Sequence, residues 1–512
     1  MKSPVACGAG SLTRRAKLLR RIASVLHLVP FVRPDGVMSN EDSRQITRSA
    51  KYVRTESYIG TSYFCSRHII RGASLVSSAW HRTWRRAPKG FVRNAALLSV
   101  GTAAAQSFSV MAAPVLTRTY LPAEIGQLAL FTSFVSVANV ALSLKFELGI
   151  VSAVSDREAA ELTYCSILLS LPLSVFSGIM LYVAIRFSWF GYGSLPGYTA
   201  LLMVTVLWLI GSFTSLRYWA LRQCRFGLIS RTTVGQHATR ALAQVAFGFL
   251  GFGVGGLLLG ELFGRAVGVV RMFQIGWSTV RGLLTNASNR ELLATLHVHR
   301  KLVVFSLPST FIDTLVANLP LPVIVRLYGL EAGGSFALVQ RVLSVPMGLI
   351  AASVADTFHE RIATCAREDR ENMPALLRRT SLWLLAIGLV PTLVLALSGR
   401  FLFQVVFGHK WGVAGTLATL SAPWFLTQFI VSPLSRLVFV LHGQELKLIY
   451  DVVILAAMVT VAILSAHKHL SLFTTMWAFS LVNAFAYIMY YLVLVWIVKK
   501  SQTATGHELT FE

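Results

Sequence analysis

Nine ionisable residues interrupt stretches that are otherwise almost wholly apolar: Lys145, Glu147, Arg217, Glu261, Arg265, Asp313, Arg341, Asp356 and Arg436. A charge held in hydrocarbon costs about 2.5–3.5 kcal/mol on insertion scales, so each must face a cavity, a partner or the membrane interface. Five of the nine are cations, which suits an anionic ligand. Arginine adds to its permanent charge a planar fork of donors that matches a phosphate. Arg341 is the first candidate for such a contact, with Lys145, Arg217 and Arg436 as further cavity cations. The alternative for Arg341 is a structural bond to kinked backbone near Pro346. For the other three, which lie near helix ends, it is snorkelling to the interface.

The acids divide differently. Asp313 stands alone ahead of Pro320 and Pro322, whose missing donors free the carbonyls of Val316 and Asn318. That setting suits a bound proton or cation, or a neutral Asp facing the bundle. Glu147 is a second candidate coupling acid. It is two residues from Lys145, too close in register for the two to share a helix face. Glu261 and Arg265 are four apart in the favourable order and sit among Gly256, Gly260, Gly264 and Gly268. We read them as an ion pair that packs helices rather than as a ligand site. Asp356, His359 and Glu360 do not complete a metal set. Cys7, Cys65, Cys165, Cys224 and Cys365 show neither metal nor redox spacing. No glycine-rich phosphate loop follows a strand. No metal, cofactor or catalytic residue is therefore expected.

The elements that must position these charges follow from composition. Of 512 residues 54% are hydrophobic and only 13% charged, too few charges to cover a soluble surface of this size. Apolar runs long enough to cross a hydrocarbon core recur from residue 95 onward. In lipid the backbone must satisfy its own hydrogen bonds, so each run is a helix. Twelve spans are expected, at 95–116, 128–152, 161–185, 199–221, 238–252, 256–275, 302–325, 334–356, 379–399, 413–440, 446–466 and 471–498. The chain then divides into a tail over 1–90, a six-helix half over 92–275, a linker over 276–301, a second half over 302–498 and a short tail over 499–512. Short loops and span ends on one side carry eighteen Lys and Arg against six on the other. That bias puts both termini in the cytoplasm.

The formal net charge of +25 suggests nucleic acid until it is located. Residues 1–90 hold seventeen Lys and Arg against four acids, so 17 − 4 = +13 lies outside the membrane part. Such a tail is attracted to anionic headgroups, or is a disordered extension or a start assigned too far upstream. No nucleic-acid partner is expected.

Shifting the chain by 208 positions aligns Pro114–Val137 with Pro322–Val345, with nine identities in twenty-four positions. They include Arg118/Arg326, Tyr120/Tyr328 and Gly126/Gly334. Ser133 is the mate of Arg341, so that charge belongs to one half only. Six spans per repeat give both halves one orientation, related by an axis along the membrane normal. An all-α polytopic protein with two parallel six-helix halves around a central cavity is the architecture of an alternating-access transporter.

The run Leu116-Thr-Arg-Thr-Tyr-Leu-Pro-Ala-Glu-Ile-Gly126, with Lys145-Phe-Glu-Leu-Gly-Ile-Val151, resembles the lipid-linked oligosaccharide flippases of the multidrug/oligosaccharidyl-lipid/polysaccharide exporter superfamily. Leu307-Pro-Ser-Thr-Phe-Ile-Asp-Thr-Leu, Asn318-Leu-Pro-Leu-Pro322 and Ala337-Leu-Val-Gln-Arg-Val-Leu-Ser-Val-Pro346 extend the likeness to the second half. It departs at Lys145, where an aromatic-flanked arginine is expected, and in the basic tail. The resemblance implies an undecaprenyl-pyrophosphate-linked glycan flipped to the outer leaflet of a bacterial inner membrane. The glycan lipid and the bilayer are then the partners, with polymerase and glycosyltransferases of the same pathway as further ones. A cation-coupled multidrug exporter of the same superfamily is the alternative. A membrane glycosyltransferase or polymerase fits less well, because every loop on the outer side is short.

Overall fold

The computed structural model describes residues 89–503, apart from 285–287, 301–302, 305–306, 369 and 442–443. The expected basic tail lies outside the described residues except at its very end. Every regular element described is helical. The first half comprises α1 (Lys89–Thr119), α2 (Pro122–Asn139), α3 (Glu147–Ser152), α4 (Asp156–Arg186), α5 (Thr199–Arg222), α6 (Phe226–Phe249) and α7 (Gly253–Leu283). A short helix, α8 (Asn289–Val298), leads into α9 (Leu307–Asn318), α10 (Pro320–Tyr328), α11 (Leu330–Glu368), α12 (Met373–Phe407), α13 (Gly412–Val431), α14 (Gln444–His467) and α15 (Leu472–Thr503).

Ten helices among the described residues are long and apolar enough to cross a bilayer, against the twelve expected. Two expected spans fall short for different reasons. The second breaks between α2 and α3, where Leu144 and Lys145 take left-handed conformations at φ 49° and 66°. Non-glycine residues adopt these only under constraint. The fifth, α6, is long enough but carries Arg231, Gln236, His237, Arg240 and Gln244 among its 24 residues. It begins twelve residues earlier than expected, with Gln236 and Gln244 buried inside the bundle and Arg231 exposed near its start. The seventh span is divided into α9 and α10 at Leu319, next to Pro320. Large apolar side chains such as Leu201, Phe249 and Leu397 are exposed on the outside of the bundle, as lipid contact requires.

The repeat is visible as a contact. A Cβ on Gly126 would come within 2.2 Å of the Leu330 carbonyl, and one on Gly334 within 1.9 Å of the Pro122 carbonyl. Pro122 and Leu330 are themselves 208 apart, so α2 and α11 cross through a reciprocal contact of repeat mates. Only glycine permits backbones this close. Around the same end of the bundle, Tyr120 donates to the Gln244 carbonyl at 2.7 Å and its mate Tyr328 to the Leu470 carbonyl at 2.8 Å. Trp411 Nε1 donates to the Thr117 carbonyl at 2.9 Å and ties the second half to α1. At the other end, α8 is strapped to the start of α4. Thr295 Oγ1 donates to Glu161 at 2.6 Å and Arg157 meets Glu291 at 2.6 Å.

Candidate functional site

Between the halves, beneath the α2–α11 crossing, lies a cavity of about 450 Å³ lined by α1, α2, α6 and α7 and by α9, α10 and α11. Its charges come from three helices. The glycine stripe of α7 lets α6 approach closely: Cβ atoms on Gly260 and Gly264 would overlap Gln244 and Arg240. That packing brings Arg240 Nη1 to 3.3 Å from Glu261 Oε2, while Arg265 Nη2 holds Glu261 Oε1 at 2.7 Å. Arg240 Nη2 also donates to Ser109 Oγ at 2.9 Å and lies 3.0 Å from His237 Nδ1. A guanidinium carries donors only, so Nδ1 accepts and His237 is neutral with its proton on Nε2. The Ser109 hydroxyl then donates to the same nitrogen at 3.1 Å.

Arg341 reaches this network from the second half. Its Nη2 donates to the Ser109 carbonyl at 3.0 Å, so Ser109 is held on one side by Arg240 and on the other by Arg341. Three guanidinium groups against the single carboxylate of Glu261 leave the cavity at 3 − 1 = +2. Opposite them, Ser133 Oγ donates to the Asn318 carbonyl at 3.4 Å, one of the acceptors that the proline pair frees. The arrangement offers a concave, partly apolar space with excess fixed cation and several hydroxyl and amide groups. It is equipped to hold an anion.

The expected residues distribute unevenly. Arg341 lines the cavity, and so do Glu261 and Arg265, which the sequence reading assigned to helix packing alone. They do pack α7 on α6, but the same close approach exposes their charges to the cavity. Lys145, Arg217 and Arg436 do not line it. Lys145 sits in the left-handed break after α2. Arg217 is exposed on α5. Arg436 pairs with Asp356, the acid largely exposed and the arginine partly so. Asp313 is not alone: Lys447 Nζ lies 3.5 Å away and bonds Asp451 at 2.7 Å. Glu147 is buried and accepts from the Ser143 hydroxyl. Among the described residues no three His, Cys, Asp or Glu side chains form a metal set.

His237 and Arg240 were not among the residues expected at the site, although both line the cavity. A signal for Arg240 was present. It lies ten residues before Leu250 and Glu261 ten after Gly251, so an antiparallel hairpin turning there sets them opposite one another.

Solved structures share this fold. An inward-facing multidrug resistance MATE family transporter of the MOP superfamily superposes with a TM-score of 0.57 at 17% identity, covering 78% of this chain and 96% of that one. The lipid II flippase MurJ in an inward closed conformation gives 0.58 at 12% identity, covering 79% and 90%. A eukaryotic MATE transporter, AtDTX14, gives 0.51 at 13%, covering 81% and 99%. No curated protein matches the sequence. Residues 115–415, well over half of the chain, match the model of a family described as polysaccharide biosynthesis protein, and this multi-pass membrane protein belongs to that family.

Proposed function

We propose that the protein is a flippase, not an enzyme. It moves an undecaprenyl-pyrophosphate-linked oligosaccharide from the cytoplasmic to the outer leaflet of a bacterial inner membrane by alternating access, with both termini cytoplasmic. The observation that carries this reading is the cavity of charge +2 to which both halves contribute. A pyrophosphate diester needs fixed positive charge where it crosses the membrane, and three arginines supply it without a cofactor. An anion leaving a negative cytoplasm moves down the membrane potential, worth about 2.3 kcal/mol per charge at 100 mV. Cations that stay in the wall preserve that gain, whereas a cation travelling with the headgroup would cancel it. A multidrug exporter for cationic compounds would need the opposite sign in this cavity.

Arg341 is the residue to test, because among the cavity arginines it is bonded to a carbonyl rather than to a carboxylate. Arg341→Ala loses charge and fork; Arg341→Lys keeps the charge alone. Lipid-linked repeat units should accumulate in the inner leaflet with the Ala variant at matched protein levels. Failure of the Lys variant as well would show bidentate recognition. Full export by Arg341→Ala would remove the residue from the site.

A further inference from the structure

Helix α11 is a partition. Arg341, with residues 337, 338, 344 and 345, faces the cation cavity. Val342, Leu343, Met347 and Ile350 line a second crevice of about 160 Å³, closed on its far side by α12 and α13. At 3.6 residues per turn the two sets point in opposite directions from the helix axis. The crevice is apolar throughout. Thr392 carries the one hydroxyl in its wall, and that hydroxyl already donates to the Gly388 carbonyl at 2.7 Å. Where the cavity is built for charge, its back is built for hydrocarbon.

We propose that this crevice holds part of the polyprenyl chain of the substrate while the headgroup lies in the arginine cavity, the chain bending around α11. The inference rests on the substrate proposed above and assigns that substrate's tail a place. Met347 is six residues beyond Arg341, about 9 Å along a helix that is about 10 Å across. A pyrophosphate held at Arg341 cannot span that path with its own atoms, but the first isoprene units esterified to it can. At roughly 30 Å³ per water- or methylene-sized group, the crevice has room for about five carbons, the content of one branched five-carbon unit. In lipid there is no hydrophobic gain from leaving neighbouring acyl chains. The crevice therefore acts by shape and register, fixing where the chain runs relative to the headgroup.

The test uses the full chain in detergent with two soluble probes, inorganic pyrophosphate and farnesyl pyrophosphate. Thr392→Phe fills the crevice from within, and Ile350→Trp, at an exposed position on its rim, blocks it without touching the core. Both variants should bind farnesyl pyrophosphate about tenfold more weakly than wild type and inorganic pyrophosphate equally well. Arg341→Ala should weaken both probes. Unchanged farnesyl pyrophosphate affinity in the two crevice variants, with both probes still weakened by Arg341→Ala, would overturn the tail site and leave the cavity standing as an anion site. If Arg341→Ala affects neither probe, the cavity reading fails and the tail site falls with it.

Discussion

The reciprocal contact of Gly126 and Gly334 makes a quantitative expectation possible. A Cβ on Gly334 would lie 1.9 Å from the Pro122 carbonyl and 3.0 Å from the Gly126 nitrogen. Real Cβ atoms stay beyond about 3.0 Å, so α2 and α11 must separate by at least 3.0 − 1.9 = 1.1 Å. The obstacle is backbone, so no side chain can swing aside to relieve it. Overpacking of this kind costs about 1–3 kcal/mol. The cost falls on the conformation in which the halves touch above the cavity. Under the alternating access proposed above, a state in which they part escapes it. At 1.4 kcal/mol per factor of ten, Gly334→Ala should shift that equilibrium about 5- to 150-fold toward the parted state. The assay is labelling of a cysteine at Ser133, in the cavity wall, by an impermeant thiol reagent added from outside. Its rate should rise with Gly334→Ala and with Gly126→Ala. The double variant should add less than the sum, since both changes open one contact. Gly348→Ala on the same helix is the control, because a Cβ there meets nothing within 4 Å. It should leave labelling unchanged. If Gly334→Ala labels and melts like wild type, the crossing is not a closed gate.

Other expectations follow from the ion pairs. Asp451 is buried and Lys447 is its bonded partner, so Lys447→Met should cost about 3–5 kcal/mol in thermal unfolding, while Asp313→Asn, at an exposed acid, should cost under about 1 kcal/mol. Replacing Lys447 and Asp451 together by Met and Leu should recover most of the loss; no recovery would place the defect elsewhere. Glu261→Gln raises the cavity from +2 to +3. It should tighten pyrophosphate binding while lowering stability by several kcal/mol, and weaker binding would show that Glu261 positions the arginines. Reporter fusions after Gly126 and after Val498 should lie on opposite sides of the membrane, and the same side for both would end the proposed topology.

What the sequence determined by itself is what the membrane dictates locally. Hydrocarbon accepts only backbone that bonds to itself, so apolar runs declare helices without reference to neighbours. The 208-residue repeat declared that residues around Gly126 and Gly334 occupy equivalent places, and the structure puts those two glycines against each other. Cavity charge was only partly legible. Arg341 could be named because a lone guanidinium in mid-helix must face something polar. Lys145, Arg217 and Arg436 satisfied the same rule and lie elsewhere, because a helix break or an exposed pair answers that demand equally well. Tertiary structure alone decided which charges meet. Ser109 and Arg341 are 232 residues apart, and Arg240 reaches Glu261 only because the glycine face of α7 brings α6 close enough. Helix rotation and interhelical distance set such encounters. Both are settled by packing against several other helices at once, which no local stretch of sequence contains.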